Sequence, residues 1–236
     1  MVKTKAILNL WLTLMILFVS AYGQQTSSDW FGKEVDLAHQ GKYDEAIQAY
    51  DKALELSPND AARAAVWNNK AIVLDKQGKY DEAVQAYDEA TDLNPQLVQA
   101  WYNKAIVLNK QGKYDEAIQA LDKVIEINPQ DDTAWYNKGE ALYHQGNNNE
   151  AIKAFDNATK INPQFANAWI GKGNALDKQN KYDEAIQAYD KAIKIDPNYY
   201  KPWYNKGVIL KKLGRITEAD AAFVKAKELG YKGQIT

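Results

Sequence analysis

The 34-residue stretch VQAWYNKAIVLNKQGKYDEAIQALDKVIEINPQD, residues Val98 to Asp131, decides the fold of this chain. In its first half, Trp101, Ala105 and Leu108 recur at the spacing of one helix face, which predicts an amphipathic helix. Gly112 then ends that helix, because glycine readily adopts the left-handed conformation found at helix ends. The first half therefore predicts one helix followed by a tight turn.

The second half predicts a second helix antiparallel to the first. Asp115 and Glu116 are suited to its start, with Asp115 as the capping residue and both acids near the positive end of the helix. Asn128 precedes Pro129 and ends the helix, because a residue before proline is pushed out of helical geometry. The apolar face of this helix comprises Ala117, Leu121, Val124 and Ile125.

The whole unit recurs along the chain. Tryptophans stand at Trp30, Trp67, Trp101, Trp135, Trp169 and Trp203, and prolines at Pro58, Pro95, Pro129, Pro163 and Pro197. Both series step by 34 residues, except for one step of 37. The three extra residues lie between Pro58 and Trp67 in an alanine-rich segment, so we expect them to lengthen the first helix of the second unit by nearly a turn.

One helix pair cannot bury its own apolar face, whereas stacked pairs bury a continuous core. The fold class predicted is therefore all-α, a right-handed α-solenoid of six helix-turn-helix repeats. The repeats are assigned to residues 27–60, 61–97 (with the insertion at its start), 98–131, 132–165, 166–199 and 200–233, after a short leader at 24–26.

The repeating unit resembles the tetratricopeptide repeat (TPR). The resemblance is carried by Trp101, Ala105, Leu108, Tyr114, Ala117, Leu121, Val124 and Pro129, and by their counterparts in the other five units. In that family, small residues let the two helices of a pair approach closely, and Gly139, Gly173 and Gly207 occupy such positions here. The resemblance implies a protein-binding scaffold without catalytic activity.

Residues 1–23 resemble a secretory signal peptide. Lys3 and Lys5 precede the apolar run of residues 6–19, and the small residues Ala21 and Gly23 suit a cleavage site after Gly23. The predicted location is secreted, cell-surface or periplasmic. The alternative is an uncleaved segment that anchors the protein in a membrane, although the apolar run is short for a membrane span.

Composition excludes several other classes of function. A net charge of −2 supplies no basic surface for nucleic acid, and without cysteine there is no thiolate metal site or thiol nucleophile. Acid pairs such as Asp115-Glu116 are explained by their place at helix starts. His39 and His144 lie three repeats apart, too far to share a metal. We therefore expect no catalytic residues, no metal and no cofactor.

The chain departs from the TPR signature three residues after each tryptophan, where the family usually has leucine. Here all six positions are lysine: Lys33, Lys70, Lys104, Lys138, Lys172 and Lys206. A lysine can bury its stem and keep its amine in water, paired with a neighbouring acid. The alternative is a row of cations that serves a ligand.

The resemblance also implies that first helices line a concave groove that takes a peptide or a partner helix. The groove residues carried over are Phe31, Val35, Asn68, Ile72, Tyr102, Ile106, Tyr136, Glu140, Tyr143, Ile170, Asn174, Tyr204 and Val208. With basic residues along one edge, this surface suits an extended segment carrying apolar side chains and some acids. The alternative is that Val35, Ile72 and Ile106 only pack between neighbouring helices.

The last repeat raises a second possibility for function. Solenoids need polar end caps, and Phe223, Val224, Ala226 and Leu229 are expected to leave an incompletely covered end. The leading hypothesis is an exported scaffold that binds another protein or peptide, with no nucleic acid and no membrane contact beyond the signal segment. The alternative is a structural or assembly element of the cell envelope that self-associates end to end.

Overall fold

The computed structural model describes residues 36–57 and 59–233. The predicted signal peptide, Phe31, Lys33 and Val35 lie outside these residues. Every regular element in the described part is an α-helix. Residues 36–39 are helical, and they are followed by α1 Tyr43–Leu56, α2 Asp60–Lys76, α3 Tyr80–Leu93, α4 Val98–Lys110, α5 Tyr114–Ile127, α6 Asp132–His144, α7 Asn148–Ile161, α8 Ala166–Lys178, α9 Tyr182–Ile195, α10 Tyr200–Lys212 and α11 Ile216–Glu228.

The chain divides into unit 1, residues 1–95, and unit 2, residues 96–236. Within each unit, a helix packs chiefly against the helix before it and the helix after it. In unit 2, α6 also touches α8, and α8 touches α10, so first helices of successive pairs lie side by side. This nearest-neighbour packing confirms the predicted class of all-helical repeat solenoid.

Turn residues end the helices as predicted. Gly112 follows α4 with a φ of 74°, and Asn180 occupies the same place after α8 with a φ of 60°. Asparagine tolerates this left-handed region better than most residues, which explains why it replaces glycine there. Asn128 leaves helical geometry with φ −132° and ψ 87°, directly before Pro129.

The prediction that Asp115 caps α5 is wrong. The helix begins at Tyr114, its capping position is Lys113, and no side chain caps it. Asp115 therefore lies within the first turn, where its charge still faces the positive end of the helix. Its Oδ1 instead accepts a hydrogen bond of 2.5 Å from Gln145 Nε2, which links two successive repeats.

Close approach in three helix pairs of unit 2 depends on a glycine opposite an aromatic ring. A Cβ atom added to Gly173 would lie 2.5 Å from the ring of Tyr189. Additions at Gly139 and Gly207 would lie 2.6 and 2.7 Å from the rings of Phe155 and Phe223. Such distances leave no room for a side chain, so the expectation of small residues at the helix crossing is confirmed.

A hydrogen bond explains why the tryptophans and prolines recur together. The indole Nε1 atoms of Trp135, Trp169 and Trp203 each donate to the backbone oxygen of the proline six residues earlier, at 3.1 Å. The tryptophan thus fixes the chain entering its own helix to that helix. A spacing other than six residues removes the geometry for this bond.

The three-residue insertion gives the second repeat a different spacing between proline and tryptophan. Helix α2 has 17 residues, whereas α4 has 13, which confirms the expected lengthening. The side chain of Asn59 caps α2, because its Oδ1 accepts a hydrogen bond from the backbone nitrogen of Ala62 at 2.9 Å. Trp67 now follows Pro58 by nine residues, and its buried Nε1 has no hydrogen-bond partner among the described residues.

The lysines three residues after tryptophan are held by acids of the preceding helix. Lys172 Nζ lies 2.6 Å from Asp156 and 5.5 Å from the ring centroid of Trp169, and its side chain is 23% exposed. The same ion pair joins Lys70 to Asp51, Lys138 to Asp122 and Lys206 to Asp190. These contacts support the ion-pair interpretation over a row of cations free to serve a ligand.

The expected uncovered end is wrong for two of its residues. Phe223 and Ala226 are buried, because they face their partner helix α10, and a Cβ at Gly207 would touch the Phe223 ring. Leu229 is half-buried. Val224 is 57% exposed and Ile216 is 52% exposed, so the apolar surface of α11 is limited to separate side chains.

Trp169→Phe should destabilise the protein more than Trp67→Phe, by about 1 kcal/mol, the typical net value of one hydrogen bond. Both changes remove an indole that lies beneath a lysine, but only Trp169 makes a hydrogen bond through Nε1. Urea denaturation of both variants measures the difference. Equal losses would mean that the bond to Pro163 contributes nothing to stability.

Lys172→Leu should leave stability unchanged or raise it, whereas Lys172→Ala should lower it. Leucine keeps the apolar cover over Trp169 that the lysine stem provides, and alanine does not. Replacing a half-buried ion pair by apolar packing is often neutral or stabilising. Denaturation at low and high salt measures both effects, with Lys178→Leu on the exposed surface as the control. A loss for leucine as large as that for alanine would assign the stability to the charge.

Candidate functional site

Eleven of the thirteen predicted groove residues lie in the described part of the chain. All eleven are buried or half-buried. Asn68 and Ile72 lie on α2 of unit 1, whereas the others lie on α4, α6, α8 and α10 of unit 2. Unit 2 therefore carries most of the candidate site, on the helices that open its successive pairs.

A pocket of about 290 Å³ in unit 2 brings four of the predicted residues together. Tyr136 and Glu140 come from α6, and Ile170 and Asn174 come from α8. Five further residues that the sequence did not single out as binding residues complete the lining: Asn167, Gly171, Tyr199, Lys201 and Asn205. The remaining predicted residues lie outside this pocket.

The amides of the pocket are held by hydrogen bonds. Asn174 Oδ1 accepts from Asn205 Nδ2 at 2.9 Å and from the Tyr189 hydroxyl at 2.8 Å. Burial, with Asp177 as a lesser cause, raises the pKa of Tyr189 above its usual range, so its hydroxyl stays a donor. The asparagine side chains are thus fixed in orientation before any ligand arrives.

A similar hydrogen bond recurs two repeats earlier. Asn137 Nδ2 donates to the Tyr102 hydroxyl at 2.7 Å and to the backbone oxygen of Thr133 at 2.9 Å. Asn137 and Asn205 both stand two residues after a tryptophan, at Trp135 and Trp203. In the fourth and sixth repeats, an asparagine at this place therefore connects a first helix to the first helix before it.

Tyr136 forms the aromatic wall of the pocket. Its ring centroid lies 5.0 Å from that of Phe165 and 6.0 Å from that of Phe155, which are ordinary distances for favourable aromatic pairs. Burial raises the pKa of its phenol above the usual range, and the charge of Glu140 adds to the effect. Tyr136 is therefore a neutral, firmly packed side chain with one edge open to the pocket.

Glu140 is the acid of the pocket. Burial raises the pKa of its carboxyl, and the nearby charges of His144 and Lys201 act against that shift. Within the described residues its carboxylate makes no hydrogen bond and no ion pair. Space for it depends on Gly171, where an added Cβ would lie 3.1 Å from Glu140 Oε1 and 2.6 Å from the Phe155 ring.

The basic edge expected beside the groove includes Lys212 and His144, and both residues make contacts within the protein. Lys212 Nζ lies 2.6 Å from Asp177 Oδ1 and 5.5 Å from the ring centroid of Tyr182. His144 stacks on Tyr114, with 5.8 Å between ring centroids. The preference for acids in a bound segment therefore stays a prediction, and these two residues support it less than their sequence positions suggest.

Tyr204 is covered by the chain that follows the last helix. The Tyr231 ring stacks on it, with 4.2 Å between centroids and 27° between planes. Tyr204 also lies 5.8 Å from the ring of Phe223. This predicted groove residue is thus packed between two aromatic rings.

The residues missed by the sequence analysis stand at positions that it did not sample. Tyr199 and Lys201 precede Trp203 by four and two residues, whereas the predicted set began one residue after each tryptophan. The sequence gives a partial indication of these residues, because Tyr199-Tyr200 is an aromatic pair at the junction between repeats. Gly171 is glycine where four other repeats have asparagine, a difference that it shares with Gly32 of the first repeat.

Other kinds of site were also considered in the described residues. No three His, Asp or Glu side chains come together there to hold a metal ion. A search of the same residues for an apolar helix that could cross a bilayer finds none. A larger cavity of about 510 Å³ in unit 1 is bordered by Lys52, Glu55 and Asp51, which pair with neighbouring charges.

Solved structures share the fold. MamA from Desulfovibrio magneticus RS-1 is 25% identical, with a TM-score of 0.66 over 70% of this chain and 94% of that chain. A part of a TPR protein from Cytophaga hutchinsonii has a TM-score of 0.78 at 19% identity, covering 93% and 90% of the two chains. YrrB, described as a TPR protein with an unusual peptide-binding site, has a TM-score of 0.63 at 23% identity, covering 78% and 93%.

Sequence comparison identifies the family directly. No curated protein sequence matches significantly over the chain. Profiles of the tetratricopeptide repeat match residues 35–96, 68–132, 110–164, 136–200 and 188–221. Because these matches cover well over half of the sequence, the chain belongs to the tetratricopeptide repeat family.

Proposed function

We propose that this protein is an exported scaffold, without catalytic activity of its own, that binds an extended segment of another protein on the first helices of unit 2. Tetratricopeptide repeat proteins in general are protein-interaction scaffolds. The observation that carries the proposal is the open pocket around Tyr136. It combines an aromatic wall, fixed amides and a carboxylate, as ligand sites commonly combine apolar surface with a few placed polar groups.

The rigidity of these side chains favours binding. Tyr136 packs against Phe155 and Phe165, and Asn174 and Asn205 are hydrogen-bonded to each other. Ordering such side chains on binding costs little entropy, since they are already ordered. Aromatic residues in well-packed surroundings are the ones that most often dominate binding energy at interfaces.

Export is the second part of the proposal. It rests on the basic start, the apolar run of residues 6–19 and the small residues before Gln24. The alternative location is the outer side of a membrane, with residues 1–23 retained as an anchor. Self-association remains the alternative function, and the exposure of Val224 and Ile216 on α11 is the observation that favours it.

Expression of the full-length chain in a secreting bacterial host tests export. We expect a processed protein that begins at Gln24, measured by mass spectrometry of the exported fraction. Leu14→Arg should block processing, because a charge within the apolar run opposes membrane insertion. Thr4→Arg adds the same charge to the basic start and should leave export intact. Unprocessed chain in the membrane fraction would establish the anchor instead, and chain in the cytoplasm would refute export.

Selection of a randomised peptide library on the full-length protein tests binding. Tyr136→Ala should weaken the selected peptides at least about tenfold, because removing an aromatic anchor typically costs more than 1 kcal/mol. Asn167→Trp should weaken them too, by filling the pocket from its exposed rim without touching the core. Tyr80→Ala, at a tyrosine on α3 that is 36% exposed, is the matched control.

Circular dichroism and thermal unfolding of each variant separate a loss of binding from a loss of fold. Binding that survives both pocket variants would move the binding surface away from unit 2's first helices. Association of the protein only with itself, unaffected by Tyr136→Ala, would favour the assembly function.

A further inference from the structure

We infer that the pocket beside Glu140 binds a lysine or arginine side chain of the extended segment, with the Glu140 carboxylate as the direct partner of the cation. This inference rests on the proposed function and adds to it the chemical class of the residue recognised. It reverses the charge preference expected from the basic edge for this one position of the bound segment.

The first observation is the mismatch between Glu140 and its surroundings. The corresponding residues in other repeats are apolar or neutral: Val35, Ile72, Ile106, Asn174 and Val208. Glu140 places a carboxylate on a half-buried surface where it has no hydrogen bond and no ion pair among the described residues. A desolvated charge without a partner is costly, and a cation from a ligand would supply the missing one.

The second observation is that the nearby cations of the protein are directed elsewhere. Lys201 Nζ lies 5.7 Å from the ring centroid of Tyr199 and forms no ion pair with Glu140. The His144 ring is stacked on Tyr114 and meets Tyr143 edge-on at 5.6 Å. Both residues act on Glu140 only through space, so a ligand cation can reach the carboxylate directly.

The third observation is the shape and chemistry of the walls. Tyr136 and Tyr199 supply aromatic surface that suits the alkyl stem of lysine or the plane of arginine. Gly171 leaves space beside the carboxylate, because an added Cβ would lie 3.1 Å from Glu140 Oε1, and four other repeats have asparagine at this position. Glu140, which has no acidic counterpart in the other repeats, and Gly171 therefore lie side by side in the lining of one pocket.

An acidic side chain of the bound segment fits this pocket less well than a basic one. An acidic side chain at this place would face Glu140 directly, and like charges in a half-buried site repel strongly. A metal ion would need several ligands, and the pocket offers one carboxylate with no second acid lining it. A basic side chain satisfies the carboxylate and uses the aromatic walls at once.

The test uses the peptides selected on the full-length protein. We expect one lysine or arginine position in the selected sequences. A synthetic peptide with that lysine should bind at least about tenfold more tightly than the same peptide with norleucine, as is typical of a charge-assisted hydrogen bond. In Glu140→Gln the two peptides should bind equally, because the change is isosteric and removes only the charge.

Three further variants sharpen the measurement. Glu116→Gln, at an exposed acid on α5 of the same unit, should retain the preference for lysine over norleucine. Glu140→Lys should select an acidic residue at the same peptide position. Lys201→Met should strengthen binding of the lysine peptide, because it removes a cation that repels the ligand. Weak binding of n-butylamine alone, compared with the peptide, would show that recognition requires a peptide-borne amine.

The outcomes separate this inference from the proposed function. Peptides that depend on Tyr136 but bind equally with lysine and norleucine would overturn the inference and leave the binding function standing. The same holds if Glu140→Gln retains the full preference for lysine, or if n-butylamine binds as tightly as the peptide. Recovery of no peptide that depends on Tyr136 would overturn both.

Discussion

The structure depends on the contact between a small residue of one helix and a large side chain of the next, which is an aromatic ring in three helix pairs of unit 2. Gly139 against Phe155 and Gly173 against Tyr189 leave no room for a Cβ atom, so the two helices of a pair meet at close range. The rings of Phe155 and Tyr189 are in consequence almost entirely buried. The other features of a repeat follow from this close packing of the two helices. When the small residue of the first helix is packed against the second helix, the opposite side of the first helix faces its neighbours and a ligand.

The contacts between repeats use groups that this packing leaves at the helix surface. Lys172 pairs with Asp156, Gln145 with Asp115, and Asn205 with Asn174, each between two successive repeats. Exposed ion pairs add little individually. Because these contacts recur regularly, they instead fix the orientation of one helix pair on the next. The lysines of these ion pairs are engaged within the protein and do not serve a ligand.

Much of the fold could be predicted from the sequence, because a repeat read several times averages out local ambiguity. Gly112 and Pro129 marked helix ends correctly, and the insertion before Trp67 lengthened a helix as expected. The assignment of Asp115 as the capping residue was wrong, because the helix begins at Tyr114, two residues earlier than that role requires. The burial of Phe223 was missed for a different reason: a side chain on the last helix can face its own partner as well as the open end.

The candidate site was predictable only in part, and the reason is physical. Counting from each tryptophan locates residues on first helices, and that procedure found Tyr136, Glu140, Ile170 and Asn174. Tyr199 and Lys201 reach the same pocket from the junction between repeats. At this junction, the position of a residue along the chain does not show which way its side chain points. The repeat pattern does reveal the positions at which a residue differs from its counterparts. A residue that matches the other repeats serves the common packing, whereas Glu140 has no acidic counterpart in any other repeat. Because an unpartnered half-buried carboxylate lowers stability, its presence is best explained by a partner outside the chain.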